Sequence, residues 1–420
     1  MAYPVADSYS TATGGSIYAG RNAGGTWTGD LLVAGDSITS NSYQSAPFRW
    51  SLPLARSPVR LAHNIGVSGA TLDDLWDTYW ASQVLAPAPA IVMLRIGTNS
   101  LALSYATFMT KYQRFSDSLV ANNIKGILCA VPPRSGYSSS ILAINAGIAA
   151  LAAANPSMLR FTDDCLDLAD INYVQDATCF GDGVHPNQRG QYRAGVRQAA
   201  DLVNIFAAND PRITSASDTY YLTPASDQWV KNPFNSGTGG TKGSGITGTV
   251  PDFWSVSNTG AGTTAVASIV AADLGDANST PWLRMDITGL GGLDHILTAS
   301  TTLGHPALAA DLATVKRLDM ICEVRFNALD TTNLNRLTMY CLQGSARPGP
   351  ELNMGLKNNG TITKTALLRS SYARDEDAAA VVSHAANSIS FRFELLIAAA
   401  QASAVGSIDF RLASVRGQAT

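Results

Sequence analysis

The sequence predicts two architectures in succession: an α/β half built on a five-stranded parallel sheet, then an all-β sandwich. Three observations predict this. Five short apolar runs, most of them ending in polar loops that contain glycine, recur between residues 30 and 208, and segments with helical spacing separate them. Parallel strands need long crossovers, so strands alternating with helices argue for a parallel sheet covered on both faces. Beyond Asn209-Asp210-Pro211 the helical spacing fades, and short β-rich runs alternate with turns rich in Gly, Asn, Ser and Pro. That pattern indicates a sandwich, with the boundary near residue 210.

In chain order, residues 1–29 are rich in Gly, Ser, Thr and Ala and read as an extended arm. Leu31 to Val33 run into Ala34-Gly35-Asp36-Ser37 as a buried strand that stops abruptly. Phe48 to Ala55 read as a short helix, and a second strand starts at Val59 and breaks at Gly66 and Gly69. Thr71 is a plausible N-cap for a helix to Leu85, with Leu72, Leu75, Trp76 and Tyr79 at helical spacing. A third strand lies within Ala90–Ser100, a helix over Ala106–Asn123, and a fourth strand in KGILCAVPP. A helix over Ser139–Ala154, a short fifth strand at Leu159–Asp164 and a long helix from about Asn187 complete this half. In the second half, strands are expected at 220–224, 265–272, 282–288, 318–326, 336–343, 389–399 and 406–415.

Composition removes several classes of function. The 420 residues are enough for two or three domains and are 46% hydrophobic, which is ample for large cores. The net charge of −3 comes with no basic block, so nucleic acid is not an expected partner, because that binding rests on neutralising phosphates. No apolar run reaches the roughly 18 residues of a spanning helix, and the longest candidate, Ile141–Ala154, is interrupted by Asn145. The first twenty residues lack the basic and apolar regions of a signal peptide. Five cysteines occur without zinc-ligand spacing; Cys165 with Cys179, or Cys322 with Cys341, could pair in an oxidising compartment.

Four pieces of the first half carry chemistry: Gly35-Asp36-Ser37; NIGVSGAT with Asn64, Gly66, Ser68 and Gly69; GTNS with Gly97 and Asn99; and GDGVHPN with Asp182 and His185. Each alone has a plain structural reading as a turn, a helix cap or a loop histidine. Jointly they supply a nucleophile, a base with an acid three residues before it, and two donors, and all four fall after predicted strands of one domain. The Asp-x-x-His spacing lets the carboxylate reach the imidazole and fix its tautomer. Of the five histidines, His63 lacks a nearby acid, and His295, His305 and His384 lie in the β half, which leaves His185 as the base. No G-x-S-x-G nucleophile elbow is present, and Ser68 is the rival nucleophile.

These four ordered blocks make residues 28–208 resemble the SGNH hydrolases, also called the GDSL esterase family. Two positions depart from the usual pattern: Ile38 replaces the Leu of the family's nickname, and Ser100 stands where an Asp often follows the Asn. The resemblance implies a flavodoxin-like three-layer fold with a hydrolase domain at 30–208. It implies a catalytic triad of Ser37, His185 and Asp182, with an oxyanion hole from the Ser37 and Gly69 backbone N–H groups and the Asn99 amide. It implies neither metal nor cofactor.

The β half, 211–420, loosely resembles jelly-roll carbohydrate-binding modules of esterases and phage tail proteins. Trp229, Trp254, Trp282 and Tyr340 are either sandwich core or a platform for sugar faces. The expected activity is removal of acetyl groups from a polysaccharide, by an extracellular or virion-associated enzyme; a cytoplasmic one is the alternative. If the tail-protein likeness holds, a trimer is expected. Two other readings stand beside it: a broad small-ester hydrolase or thioesterase whose β half serves assembly, and a non-catalytic glycan-binding tail protein.

Overall fold

The computed structural model describes residues 27, 29–40, 46–56, 59–170, 172–206, 230, 232, 235–273, 280–302, 317–343, 352–373 and 389–418. The first half is built on five strands: β1 (Asp30–Gly35), β2 (Arg60–Gly66), β3 (Ile91–Arg95), β4 (Lys125–Cys129) and β5 (Leu159–Thr162). They lie in the order β2-β1-β3-β4-β5 and every pair is parallel, as expected. The order reverses direction at β1. The crevice beyond its carboxyl end is therefore the topological switch point, where open α/β sheets place ligands.

Alternation along the strands assigns each residue to a face. Leu32, Ala34, Val92 and Leu94 pack with α3 (Tyr105–Ala121) and α4 (Ser138–Ala154) in one cluster. Leu31, Val33, Ile91 and Met93 pack in another with Phe48 of α1 (Phe48–Leu54) and Leu202 of α5 (Gln188–Leu202). Trp27 joins the second cluster through a backbone bond to Ile205, while the rest of the predicted arm lies almost wholly outside the described residues.

The segment between β2 and β3 departs from expectation. Thr71 does cap it, in a reciprocal box with Asp74. After one α-helical turn, Leu72–Asp74, the chain widens into a π-helix over Leu75–Leu85. The residues buried there are Leu75, Trp80 and Val84, spaced by five and four, which suits i→i+5 winding better than the α-helical period. Trp76 stacks on Trp80 and lies edge-on to Phe115.

Among the described residues, the second half forms two six-stranded sheets. Its strands are β6 (Thr241–Lys242), β7 (Ile246–Gly248), β8 (Trp254–Asn258), β9 (Thr264–Val270), β10 (Trp282–Gly289), β11 (Ile296–Thr302), β12 (Arg317–Asp330), β13 (Leu334–Gln343), β14 (Leu352–Gly355), β15 (Thr361–Ala373), β16 (Ile389–Ile397) and β17 (Gly406–Gln418). The sheet orders are β15-β12-β17-β10-β9-β7 and β14-β13-β16-β11-β8-β6. Expected strand 220–224 and Trp229 lie outside the described residues.

Three of the aromatic residues considered as a sugar platform are core instead. Trp254, Trp282 and Tyr340 are each about 2% exposed or less. Trp282 has the guanidinium groups of Arg411 and Arg325 over its ring at 4.0 and 4.4 Å. Those cations are held by the buried carboxylates Glu323 and Asp409. The sequence leaves two cysteine pairings open, and neither is formed. Cys165 and Cys179 are free buried thiols held in different polar surroundings, the first against Arg95 and Asp164, the second against Asp176 and Arg193. Cys322 is likewise free.

The two halves meet through α1, which packs on β14 and β15 as well as on α5. Trp50 is fully buried there, edge-on to Tyr192 at 4.7 Å and 6.1 Å from Phe326 of β12. Arg56, just past α1, pairs with Glu323. Truncating a buried indole leaves a cavity that only partly collapses, so Trp50→Ala is expected to cost about 3–5 kcal/mol. Urea unfolding measures this: a lowered midpoint is expected, and an unchanged one would show that the contact does not bind the halves together.

Candidate active site

Register alone brings the separated motifs to one edge. Gly35 pairs with Gly66 on one side and with Arg95 on the other, so the loops holding Ser37, Gly69 and Asn99 all leave the sheet together. Gly66 is required by close approach: a Cβ there would lie 2.4 Å from Ser40 N. Asn64 joins the same two loops, donating to Thr39 O at 3.0 Å while accepting from Gly66 N.

Asp36 ties the Ser37 loop to the loop after β3, which holds Thr98 and Asn99. It is fully buried, with Oδ1 accepting from Ile38 N and Oδ2 from Thr98 N. Burial raises its pKa, opposed by those hydrogen bonds. Arg134, from the β4–α4 loop, donates to Thr98 O at 2.9 Å and braces the loop from the other side.

His185 Nε2 lies 2.8 Å from Ser37 Oγ, and its Nδ1 lies 2.7 Å from Asp182 Oδ2. A carboxylate on Nδ1 keeps the proton there, so Nε2 presents its lone pair to the hydroxyl. Asp182 Oδ1 accepts from the backbone N–H groups of Val184 and His185, which orients the carboxylate from within its own turn. These bonds hold the Asp182 pKa down, to about 2. Asn187 caps α5, accepting from Gly190 N, and anchors the turn by donating to Thr178 O.

Ser37, Gly69 and Asn99, the expected donors, lie on loops that leave this same edge. Asn99 Nδ2 gives one N–H to Ala70 O at 3.0 Å, which seats the amide beside the Ala70–Thr71 peptide, one residue past Gly69. Gly69 has φ +77°, a conformation that costs glycine little. Among the described residues, no acceptor stands against the backbone N–H of Ser37 or Gly69. Ser68 is exposed in its loop, and His63 is exposed on β2.

With this geometry in place, residues 33–193 match the family model described as GDSL-like Lipase/Acylhydrolase family. This region is a GDSL-like acylhydrolase domain, of the serine ester hydrolase type. Among solved structures, the chain is similar to a GDSL-like lipase from Bacteroides thetaiotaomicron at 21% identity, covering 42% of this chain and 83% of that one, with a TM-score of 0.32. It is also similar to an acetylxylan esterase from Geobacillus stearothermophilus at 20% identity, covering 41% and 94%, with a TM-score of 0.34. A search of curated proteins finds no match. No helix among the described residues is long and apolar enough to cross a membrane.

Several supports of the acylhydrolase site carry no sequence signal. Gln175 bridges two loops, donating to Pro133 O and Gly183 O. Gln188 reaches across to the sandwich, accepting from Lys357 N at 2.7 Å. Under the sheet edge, buried Arg95 pairs with Asp164, and Tyr173 donates to Asp163 Oδ1 at 2.8 Å. Burial raises the Asp163 pKa from 3.8 to about 6. The folded protein therefore binds this proton more tightly than the unfolded chain, and the stability it contributes is present below about pH 4 and lost as pH rises through 6. Asp163→Asn is expected to remove that slope from the unfolding midpoint between pH 4 and 7. A parallel slope in the variant would contradict this.

Proposed function

We propose that the protein is a carbohydrate acetylesterase: Ser37 attacks the acetyl carbonyl of an O-acetylated polysaccharide, and His185 and Asp182 serve it. The observation that carries the reading is the continuous Ser37–His185–Asp182 hydrogen-bond chain at the switch point of the sheet. His185 Nε2 takes the Oγ proton as the C–O bond forms, and Asp182 stabilises the resulting imidazolium. The carbonyl oxygen becomes an oxyanion facing Ser37 N–H, Gly69 N–H and the second N–H of Asn99. Collapse returns the proton from His185 to the leaving sugar hydroxyl and leaves an acetyl-Ser37 ester. Water, deprotonated by His185, then releases acetate.

A short acyl group and a hydroxyl-rich alcohol suit the short polar loops at the rim, GDS, GVSGAT, GTNS and GDGVHPN. The intact hydrogen-bond chain disfavours a purely binding role. The β sandwich is read as the part that holds the enzyme to a glycan surface or to other copies of itself, in an extracellular or virion setting.

Acetate release from acetylated polysaccharides tests the reading. Ser37→Ala is expected to abolish release, and Asn99→Ala to lower kcat by about 10²–10³, the usual cost of losing one oxyanion donor. A panel of nitrophenyl esters of rising chain length is expected to favour acetate. A preference for long acyl chains would replace this reading with that of a lipase.

A further inference from the structure

Beside the triad lies a cavity of about 420 Å³ that the proposed chemistry does not yet use. One wall is the β4–α4 loop with Ser135 and the first residue of α4, Ser138; the other is the segment carrying Val174, Gln175, Ala177 and Phe180. Its position relative to the reacting groups follows from two bridges. Arg134, the residue before Ser135, is bonded to Thr98 O next to Asn99. Gly183, at the far end of the lining, follows Asp182 and is bonded through Gln175 to Pro133 on the opposite wall. The cavity is thus framed by the β4–α4 loop, which Arg134 ties to the Thr98 carbonyl beside Asn99, and by the turn that bears the acid. Gly136 and Gly183 present bare backbone to it, and a Cβ added at either would meet nothing within 4 Å.

Its chemistry is mixed and uncharged. Val174, Ala177 and Phe180 give an apolar face, with Val174 55% exposed, while Ser135 supplies a hydroxyl, and Ser138 and Gln175, whose hydrogens go to Tyr173 O and to Pro133 O and Gly183 O, supply acceptor oxygens. Among the described residues, no charged side chain lines it: Arg134, beside Ser135, is turned to Thr98 O and lies over the Tyr137 ring, Asp176 is paired with Arg193, and Asp182 with His185. A ligand carboxylate placed here would lose water with no cation in the lining to answer it, whereas a ring with an apolar face and hydroxyl edges finds partners for both.

We infer that this cavity is the subsite for the alcohol part of the ester, and that it takes a neutral, hydroxyl-bearing sugar ring. The inference rests on the esterase reading above and adds a substrate class to it: neutral acetylated glycans rather than uronates. Binding separates the two claims, because it needs no turnover. Partially acetylated xylotetraose is titrated calorimetrically into Ser37→Ala and into the same protein carrying Ala177→Trp or Ser138→Trp, which fill the cavity from opposite walls. Kd is expected to rise at least tenfold in both filled variants. An acetylated oligogalacturonide of equal length is expected to bind the Ser37→Ala protein at least tenfold more weakly than the neutral ligand. Equal Kd in the filled variants would overturn the subsite, and equal binding of the uronide would overturn its neutral preference. Unfilled protein that binds the neutral ligand while the parent releases no acetate would overturn the esterase reading and leave the subsite standing.

Discussion

Parallel pairing of β1 with both β2 and β3 is the constraint on which the site depends. Because the strands run the same way and Gly35 is in register with Gly66 and Arg95, three loops far apart in sequence leave the sheet at one edge. An antiparallel neighbour would send one of those loops to the opposite edge. The hydrogen bonds of Asp36 to Ile38 and Thr98, and of Asn64 to Thr39 and Gly66, then hold the loops in fixed relation. The fourth piece, with Asp182 and His185, arrives on the turn before α5, and the Asn187 cap fixes where that turn begins.

The sandwich is joined to this edge as well as to the back of the sheet. Gln188, in the first turn of α5 and three residues after His185, accepts a hydrogen bond from Lys357. On the other side of the contact, Trp50 of α1 is buried with Phe326, and Arg56 reaches Glu323. Glu323 also holds Arg411, whose guanidinium lies over Trp282. The carboxylate inside the sandwich therefore answers two cations, one of them from the hydrolase half. Leaving it with one partner removed would cost far more than losing an exposed pair.

Much of the hydrolase half was legible in the sequence, because buried parallel strands read as continuous apolar runs and each ends at a polar loop. The Thr71 and Asn187 caps were legible for the same local reason. The π-helix was not: Leu75, Trp76, Trp80 and Val84 offer apolar residues to either winding, and packing against Phe115 decides between them. In the sandwich, β6, β7 and β14 are too short to form a pattern, and β8, β11 and β15 are no more legible, since Ser, Thr, Ala and charged residues dilute their alternation. Pairing of β11 with β16 and β8, and of β15 with β12, supplies what their side chains lack. Buried aromatic residues could not be told from a sugar platform, since both need a flat apolar ring. Among the site groups, Ser37, Asn99, Asp182 and His185 were marked by motif, whereas Arg134, Gln175 and Gln188 act through backbone atoms of distant loops and leave no pattern behind.

The central claim is that one hydroxyl among the many serines of this chain is activated by a base that has been brought 2.8 Å from it. Labelling with a fluorophosphonate, followed by mass spectrometry of the digested protein, reads that claim directly. A single adduct on Ser37 is expected, and it disappears when His185 is replaced by alanine. An adduct on Ser68, or labelling of Ser37 that persists without the imidazole, would contradict it.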